Sequence, residues 1–174
     1  MDKVDKILAQ WNKERPDLDV VPMGVIGRVK RLYQSLTNEM DKTFAAHGLN
    51  HAKFDVLATL RRSGAPYRLS PNDLLVATMV TSGTMTNRID QLVKAGLVER
   101  IQNPDDGRSF LIALTNKGLT VIEKAVNDHV ATQARLTSGL SAEETEALNK
   151  LLKKFLESFE SSSTDPSKPT HTKR

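Results

Sequence analysis

The chain has 174 residues, of which 39% are hydrophobic and 26% are charged, and its formal net charge is +4. This length suits one domain, and so small a charge would not by itself indicate a nucleic-acid-binding protein. The sequence contains no cysteine, which excludes disulfide bonds, zinc sites with cysteine ligands and thiol redox sensing. The apolar runs are too short for a membrane span, and the first residues mix acidic with basic side chains, unlike a signal peptide. We therefore expect a cytoplasmic protein without a cofactor.

Two helices are predicted in residues 1–48. A short leading helix is closed by Arg15 and Pro16, and residues 17–21 form a linker. A long helix then opens at Pro22 and ends at Gly48. Apolar residues recur at helical spacing in both helices, at Val4, Ile7, Leu8 and Trp11 in the first and at Ile26, Val29, Tyr33, Leu36, Met40 and Phe44 in the second.

The next helix, capped by Asn50, carries two opposite charges on its polar face. We expect one face to pack in the core, at Phe54, Leu57 and Ala58, and the other to be polar, at Asp55, Thr59 and Arg62. Asp55 and Arg62 are seven positions apart, so they share an azimuth to within about 20° and stand roughly 10 Å apart along the helix axis. They cannot pair within this helix, so another group should answer both charges.

A helix-turn-helix is predicted to follow. Ser70 is a hydroxyl cap, Pro71 suits a first helical position and Asp73 favours the helix dipole, so a short helix opens here. That helix runs to about Met79, and residues 81–83, Thr-Ser-Gly, interrupt the pattern. The second helix places its apolar side chains in the core, at Met85, Ile89, Leu92 and Val93.

The opposite face of the second helix is polar. It carries Thr84, Asn87, Arg88 and Gln91, with Thr86 beside them. These side chains can hydrogen-bond base edges or phosphates in a major groove. The same residues could instead form a merely solvated face, although their place between a helix-turn-helix and a hairpin favours DNA contact.

Beyond Gly96, which stops the second helix, the pattern changes from helical to extended. Strands are predicted at residues 97–101 and 109–114, and the second alternates apolar side chains. The segment from Asn103 to Arg108 contains Pro, Gly and three Asx residues, which is typical of a turn. We therefore predict a mainly helical fold with a small β-hairpin wing, a winged helix-turn-helix.

Two further helices are predicted after the wing. Thr115 caps a long helix that ends near Gly139, and residues 141–144, Ser-Ala-Glu-Glu, form a capping box for the last helix. The last helix has a stripe too apolar to face water, at Leu148, Leu151, Leu152, Phe155 and Phe159. We expect residues 1–48 and 115–160 to form the dimerisation region of a homodimer, residues 49–114 to bind DNA, and residues 161–174 to be a disordered tail.

The hairpin and the residues after it resemble the signature of MarR-family transcriptional regulators. That signature is Asp-x-Arg followed by Leu-Thr-x-x-Gly, and the matching residues are Asp106, Arg108, Leu114, Thr115 and Gly118. The resemblance implies that Arg108, held by Asp106, enters a minor groove of double-stranded DNA. Gly107 stands where a basic residue is often found, which removes one phosphate contact. The predicted DNA-binding residues are Ser82, Thr84, Thr86, Asn87, Arg88, Gln91, Asp106 and Arg108.

A narrower resemblance covers nearly the whole chain. The segments WNKERPDLD, FDVLATLRRSG and GLVER are similar to those of the urate-responsive, PecS-type branch of MarR regulators. The matching positions are Trp11, Asp55, Arg62 and Arg100. An aromatic face and a guanidinium suit a planar anionic purine, so the resemblance implies a small anionic aromatic ligand such as urate.

The sequence therefore predicts a ligand-responsive, DNA-binding transcriptional regulator, and we expect a repressor rather than an activator. Taken alone, Trp11 is typical of packing, and Asp55 and Arg62 are typical of ion pairs at a surface or across a dimer. The winged helix could also serve as a protein-interaction module without DNA readout. No nucleophile, base and orienting group stand at a recognisable spacing, so we do not expect an enzyme, and Gly48 between His47 and His51 argues against a metal site.

Overall fold

The computed structural model describes residues 1–78 and 82–163. Helices dominate these residues, and a small antiparallel sheet accompanies them. In chain order the elements are α1 (Lys3–Glu14), α2 (Val21–Ala45), α3 (His51–Arg62), β1 (Arg68–Leu69), α4 (Pro71–Thr78), α5 (Ser82–Lys94), β2 (Val98–Gln102), β3 (Phe110–Leu114), α6 (Asn116–Thr137) and α7 (Ala142–Ser163). The chain divides into two compact units, Met1–Thr132 and Gln133–Arg174.

The predicted caps are confirmed at four helix starts, by Asn50, Ser70, Thr115 and Ser141. The start of α4 shows how they work. The Asp73 backbone N–H donates to Ser70 Oγ at 3.1 Å, and the Ser70 backbone N–H donates to the Asp73 carboxylate at 3.3 Å. Each bond satisfies a backbone N–H group that would have no backbone partner at the N-terminus of the helix. The pair of bonds therefore fixes where the helix begins.

The structure places some element ends differently from the sequence patterns. Met79 and Thr81 lie outside the described residues, and α4 is described to Thr78. Ser82 and Gly83 belong to the first turn of α5, so they are not part of an interruption. The long helix α2 ends at Ala45, and Gly48, with a φ of 69°, lies beyond it in the left-handed conformation that ends the turn.

The sheet has a strand that the sequence patterns did not predict. Its order is β1-β3-β2, with β3 antiparallel to both neighbours. The predicted hairpin is confirmed, with β2 paired to β3 from Val98 opposite Leu114 to Gln102 opposite Phe110. The strand β1 has only two residues, too few to show alternation, and its pairing with β3 is distant in sequence.

The core of the first unit is built by α2, α3, α4, α5, the sheet and α6. Its largest fully buried side chains are Phe44, Leu57, Leu60, Leu74, Met85, Leu92, Ile112, Ile122, Val56 and Val98. The predicted core faces of α3 and α5 are confirmed by Leu57, Met85 and Ile89. The prediction for Thr59 was wrong, because its side chain is buried at 4% exposure, facing α4 rather than solvent.

The start of α6 lies directly against the start of β2. Thr115 Oγ1 donates to the Gly96 carbonyl at 2.8 Å, and the Thr115 backbone N–H donates to the Leu97 carbonyl at 3.2 Å. A Cβ on Gly118 would stand 1.9 Å from that Leu97 oxygen. Only glycine fits so close an approach of two backbones, which accounts physically for the Thr-x-x-Gly part of the signature.

Both units leave long apolar helix faces exposed. On α2, the large side chains more than a third exposed are Val21, Met23, Val25, Ile26, Val29, Leu32, Tyr33 and Leu36. On α7, they are Leu148, Leu151, Leu152, Phe155, Leu156 and Phe159. No helix within the described residues is long and apolar enough to cross a bilayer.

Candidate nucleic-acid interface and neighbouring cavity

The helix α5 combines a buried apolar face with an exposed polar one. Met85, Ile89 and Leu92 are each at most 2% exposed, so they anchor the helix in the core. The exposed face carries Thr84, Thr86, Asn87 and Gln91. The structure therefore places these residues on one accessible surface, and the side chain of Ser82 lies outside the description.

Two polar side chains of α5 are hydrogen-bonded to each other. The Gln91 side-chain amide donates to Asn87 Oδ1 at 2.7 Å. Arg88 is half-buried, and its Nη1 is buried without a hydrogen-bond partner. With Asn50 and Ala52 of α3, this face lines a cleft of about 520 Å³. An unsatisfied guanidinium nitrogen beside such a cleft can donate to an anion, because a buried donor without a partner is costly.

The wing turn is held by hydrogen bonds between residues close together in the sequence. The Arg108 backbone N–H donates to Asp106 Oδ1 at 3.1 Å, so Asp106 fixes the Arg108 backbone. Asn103 Nδ2 donates to Ser109 Oγ at 3.0 Å, and Gln102 Nε2 donates to the Gly107 carbonyl at 2.9 Å. Asx turns of this kind restrict a loop that would otherwise be mobile, and the Arg108 side chain therefore projects from a fixed base.

Arg100 of β2 contacts both α5 and β3. Its Nη2 donates to Asp90 Oδ1 of α5 at 2.5 Å. Its guanidinium carbon also lies 5.7 Å from the centre of the Phe110 ring of β3. Sequence patterns did not identify Asp90 or Phe110, since an acidic side chain does not suggest a DNA contact and the pairing joins separate elements.

A second cavity, of about 310 Å³, lies between α3 and α4. It is lined by Phe54, Asp55, Ala58, Thr59, Arg62, Ala77 and Thr78. Arg62 Nη2 donates to the Ala77 carbonyl at 3.1 Å and to Thr59 Oγ1 at 3.3 Å. Both acceptors are neutral, and no carboxylate of the described residues lies within 4 Å of this guanidinium. The cavity therefore holds the Arg62 guanidinium and the Asp55 carboxylate beside the aromatic wall of Phe54.

The side chain beside the Asp55 carboxylate lies on the same helix. His51 Nε2 lies 3.6 Å from Asp55 Oδ2, one turn away. The Asp55 carboxylate, which lines the cavity, therefore lies beside the His51 imidazole. Asp55 and Arg62 therefore have separate partners, as expected, but the Arg62 guanidinium has only neutral acceptors among the described residues, so no carboxylate there balances its charge.

The structure brings together two of the four predicted ligand residues. Asp55 and Arg62 line the cavity between α3 and α4, whereas Trp11 and Arg100 do not line it. Trp11 lies near the end of α1 with 42% of its surface exposed. Arg100 lies on β2 against Asp90. A shared site for all four residues stays a prediction.

An aromatic cluster behind the cavity was not predicted. Phe54, which lines the cavity, stacks on Phe44 at 4.3 Å between ring centres, and the His129 ring lies 4.9 Å from Phe54. Burial lowers the pKa of His129 below its usual 6.5, and the nearby charge of His51 lowers it further while Asp55 opposes the shift. These rings come from α2, α3 and α6, so no local spacing could have revealed them. Among the described residues, no group of three acidic or histidine side chains could hold a metal ion.

Comparisons with known proteins agree with this architecture. A model of the MarR family matches residues 47–109. The HTH-type transcriptional regulator PecS of Dickeya dadantii is 42% identical over 150 residues, which cover 86% of this chain and 90% of PecS. A mutant MarR from E. coli complexed with operator DNA has a TM-score of 0.67 at 28% identity, covering 84% of this chain and 97% of that one.

A further solved structure is also similar to this chain. Bordetella bronchiseptica BpsR, whose DNA binding is regulated by 6-hydroxynicotinic acid, has a TM-score of 0.65 at 28% identity. The similarity covers 75% of this chain and 91% of that chain. The matched segment 47–109 contains α3, α4, α5, β2 and the wing turn, and with them both the polar face and the cavity.

Proposed function

Since the chain belongs to the MarR family, whose members are transcriptional regulators rather than enzymes, we propose that it is a ligand-responsive repressor. It reads a pseudo-palindromic operator as a homodimer and is released by a small anionic aromatic ligand such as urate. The observation that carries the proposal is the exposed polar face of α5, anchored by buried apolar residues and flanked by the wing.

The proposed division of labour follows from the chemistry of the exposed groups. Asn87 and Gln91 have amide groups that can pair with base edges in a major groove, and each reads sequence. Arg108, on the fixed wing turn, enters a minor groove or meets phosphates, so it supplies affinity that depends little on sequence. Asp106 holds the Arg108 backbone for that contact. Ser82, Thr84, Thr86 and Arg88 complete the proposed contacts.

The proposed homodimer is supported by the exposed apolar faces of α2 and α7. Single soluble protomers rarely expose apolar faces of such length, so a second copy of the chain is the simplest cover. Two-fold symmetry would place two copies of α5 in successive major grooves. The half-sites are then about 10 bp apart.

The proposed effector site is the cavity between α3 and α4. A volume of about 310 Å³ suits a small planar ligand. Arg62, which has only neutral acceptors, meets the negative charge, and Phe54 supplies an apolar wall. Trp11 packs on the ring only if α1 lies against the cavity in the ligand-bound protein. Arg100, which contacts Asp90 of α5, passes the effect of ligand binding to that helix. A coupling of about 5–150-fold in DNA affinity is the usual scale for such regulators.

Footprinting and calorimetry test the proposal. We expect the protein to protect two half-sites on its own upstream DNA, and urate to release it. Urate affinity should fall in Arg62→Ala and Trp11→Phe. Arg61→Ala is the matched control, because Arg61 is the neighbouring arginine on α3 but pairs with Glu123 of α6. Urate binding to Arg62→Ala as tight as to wild type would contradict the site.

Failure of DNA binding would have a different meaning. If the wild type protects no DNA and shows no preference for any duplex selected from a random library, DNA readout is wrong. The exposed α5 face would then belong to a protein-interaction module. Protection of a single isolated half-site by a monomer would contradict the dimer alone.

A further inference from the structure

We propose that Asp90 is a positioning residue, which ties α5 to the wing through Arg100 and Phe110 and thereby sets the specificity of DNA reading. This inference rests on the proposed function as a DNA-binding regulator. The three residues, called the α5–wing tie below, lie on three different elements, α5, β2 and β3. None of the three needs to touch a base to act.

The contacts of the α5–wing tie run without a break from Asp90 through Arg100 to Phe110. Asp90 stands between buried Ile89 and exposed Gln91, so it sits at the border of the polar face. Its carboxylate accepts from Arg100 Nη2, and the Arg100 guanidinium faces the Phe110 ring. In the β2–β3 register, Gln102 is opposite Phe110, so Arg100 is the diagonal neighbour of Phe110 on one face of the hairpin.

The tie supplies orientation that the core contacts do not. The apolar residues of α5 hold the helix by hydrophobic burial, which is non-directional and tolerates small rotations. A charge-assisted hydrogen bond is directional, so the bond from Arg100 to Asp90 fixes the azimuth of α5 relative to the wing. The two side chains are 38% and 57% exposed, and such a pair contributes little to stability. Its effect should therefore appear in DNA reading rather than in folding.

Charge points to the same role. An unpaired carboxylate on a DNA-reading helix repels phosphates, and this penalty acts on every sequence alike. Pairing with Arg100 neutralises Asp90 while keeping it on the reading surface. Removal of the Asp90 charge leaves the Arg100 guanidinium unpaired, so it should strengthen binding to random DNA by attracting phosphates, while the lost orientation of α5 should weaken binding to the correct operator. These opposite signs separate a positioning residue from an ordinary phosphate contact, whose loss weakens both.

The test compares Asp90→Asn with Glu99→Gln, the control. Glu99 is an exposed acid next to Arg100 on β2, with no basic partner within 4 Å among the described residues, so the control removes the same charge without breaking the tie. Affinity is measured for a duplex that the wild type selects from a random library and for a scrambled duplex. We expect Asp90→Asn to lower the ratio of the two affinities about tenfold, the scale of one misread base pair, and Glu99→Gln to leave it unchanged.

A charge swap completes the test. The double variant Asp90→Arg with Arg100→Asp keeps the net charge and the ion pair, so we expect it to recover most of the lost specificity. Equal ratios for Asp90→Asn and Glu99→Gln, or a swap no more specific than either of its single changes, would overturn the inference. A wild type without preference for any duplex would instead overturn the proposed function, and this inference with it. Thermal unfolding of each variant checks that specificity changes without loss of folding.

Discussion

The segment from the end of α2 to the start of α6 buries its apolar side chains within one chain, whereas α7 does not. Leu60 of α3 is fully buried, while Leu151 of α7 is 66% exposed. Both are leucines on amphipathic helices, so the difference lies in what each helix packs against. The first segment must hold its shape to present α5 and the wing, and in the proposed homodimer α7 packs against a second copy. Stability of the first should depend on packing, and stability of the second on concentration.

The largest expected effect comes from adding a side chain where the start of α6 touches the residues before β2. We expect Gly118→Val to destabilise the protein by about 4 kcal/mol or more, because its Cβ would stand 1.9 Å from the Leu97 carbonyl oxygen. Denaturant unfolding measures the loss. The control is Gly139→Ala, where an added Cβ meets nothing within 4 Å. Equal stability of Gly118→Val and the control would show that the close approach is not required.

A matched pair of leucines tests the comparison itself. We expect Leu60→Ala to cost roughly 2–5 kcal/mol at any protein concentration, because it leaves a cavity in the core. We expect Leu151→Ala to change unfolding of the isolated protomer by less than about 0.5 kcal/mol and to weaken self-association. Unfolding at several protein concentrations, with sedimentation, separates the two effects. A concentration-independent loss for Leu151→Ala would remove the distinction between the regions.

Within the segment from the end of α2 to the start of α6, exposed residues should affect DNA binding without affecting folding. We expect Asn87→Ala to relax preference at particular base pairs by roughly 1–3 kcal/mol, because an amide that reads a base is lost. Arg108→Ala should weaken binding to all sequences and lower the salt dependence, because a charge near phosphates is lost. Titrations at several salt concentrations on operator and random DNA measure both. Equal losses on the two DNAs for Asn87→Ala would exclude base reading.

The smallest expected effect is a pH dependence from the aromatic cluster. Burial holds the pKa of His129 below its usual 6.5, so the unfolded chain binds a proton more readily than the folded one. The stabilisation is therefore present above the unfolded pKa and is lost as the pH falls through it towards the lower folded pKa. We expect unfolding free energy to fall with pH below about 6.5, and His129→Phe to reduce that slope. An unchanged slope in the variant would assign the dependence to other groups.

The predicted ligand-binding residues on α3 were located correctly from the sequence, but not all of their contacts were. Asp55 and Arg62 are correctly placed on one side of one helix, because seven residues make nearly two full turns. Of their partners, His51 is four residues from Asp55 on the same helix, a spacing that the sequence shows, whereas the carbonyl that accepts from Arg62 lies on α4, which no spacing within α3 encodes. The burial of Thr59 was missed for the same reason. Its exposure depends on where α4 lies, not on the pattern of α3.

The sequence by itself determined the order of the helices, their caps, the polar face of α5, the hairpin and the family. These features depend on residues within a few positions of one another, where periodicity and capping chemistry act directly. Only the tertiary structure decided the two-residue strand β1, the cavity between α3 and α4, and the pairing of Arg100 with Asp90. Each of these joins elements separated along the chain, and their contact is set by the packing of the whole core rather than by local preference.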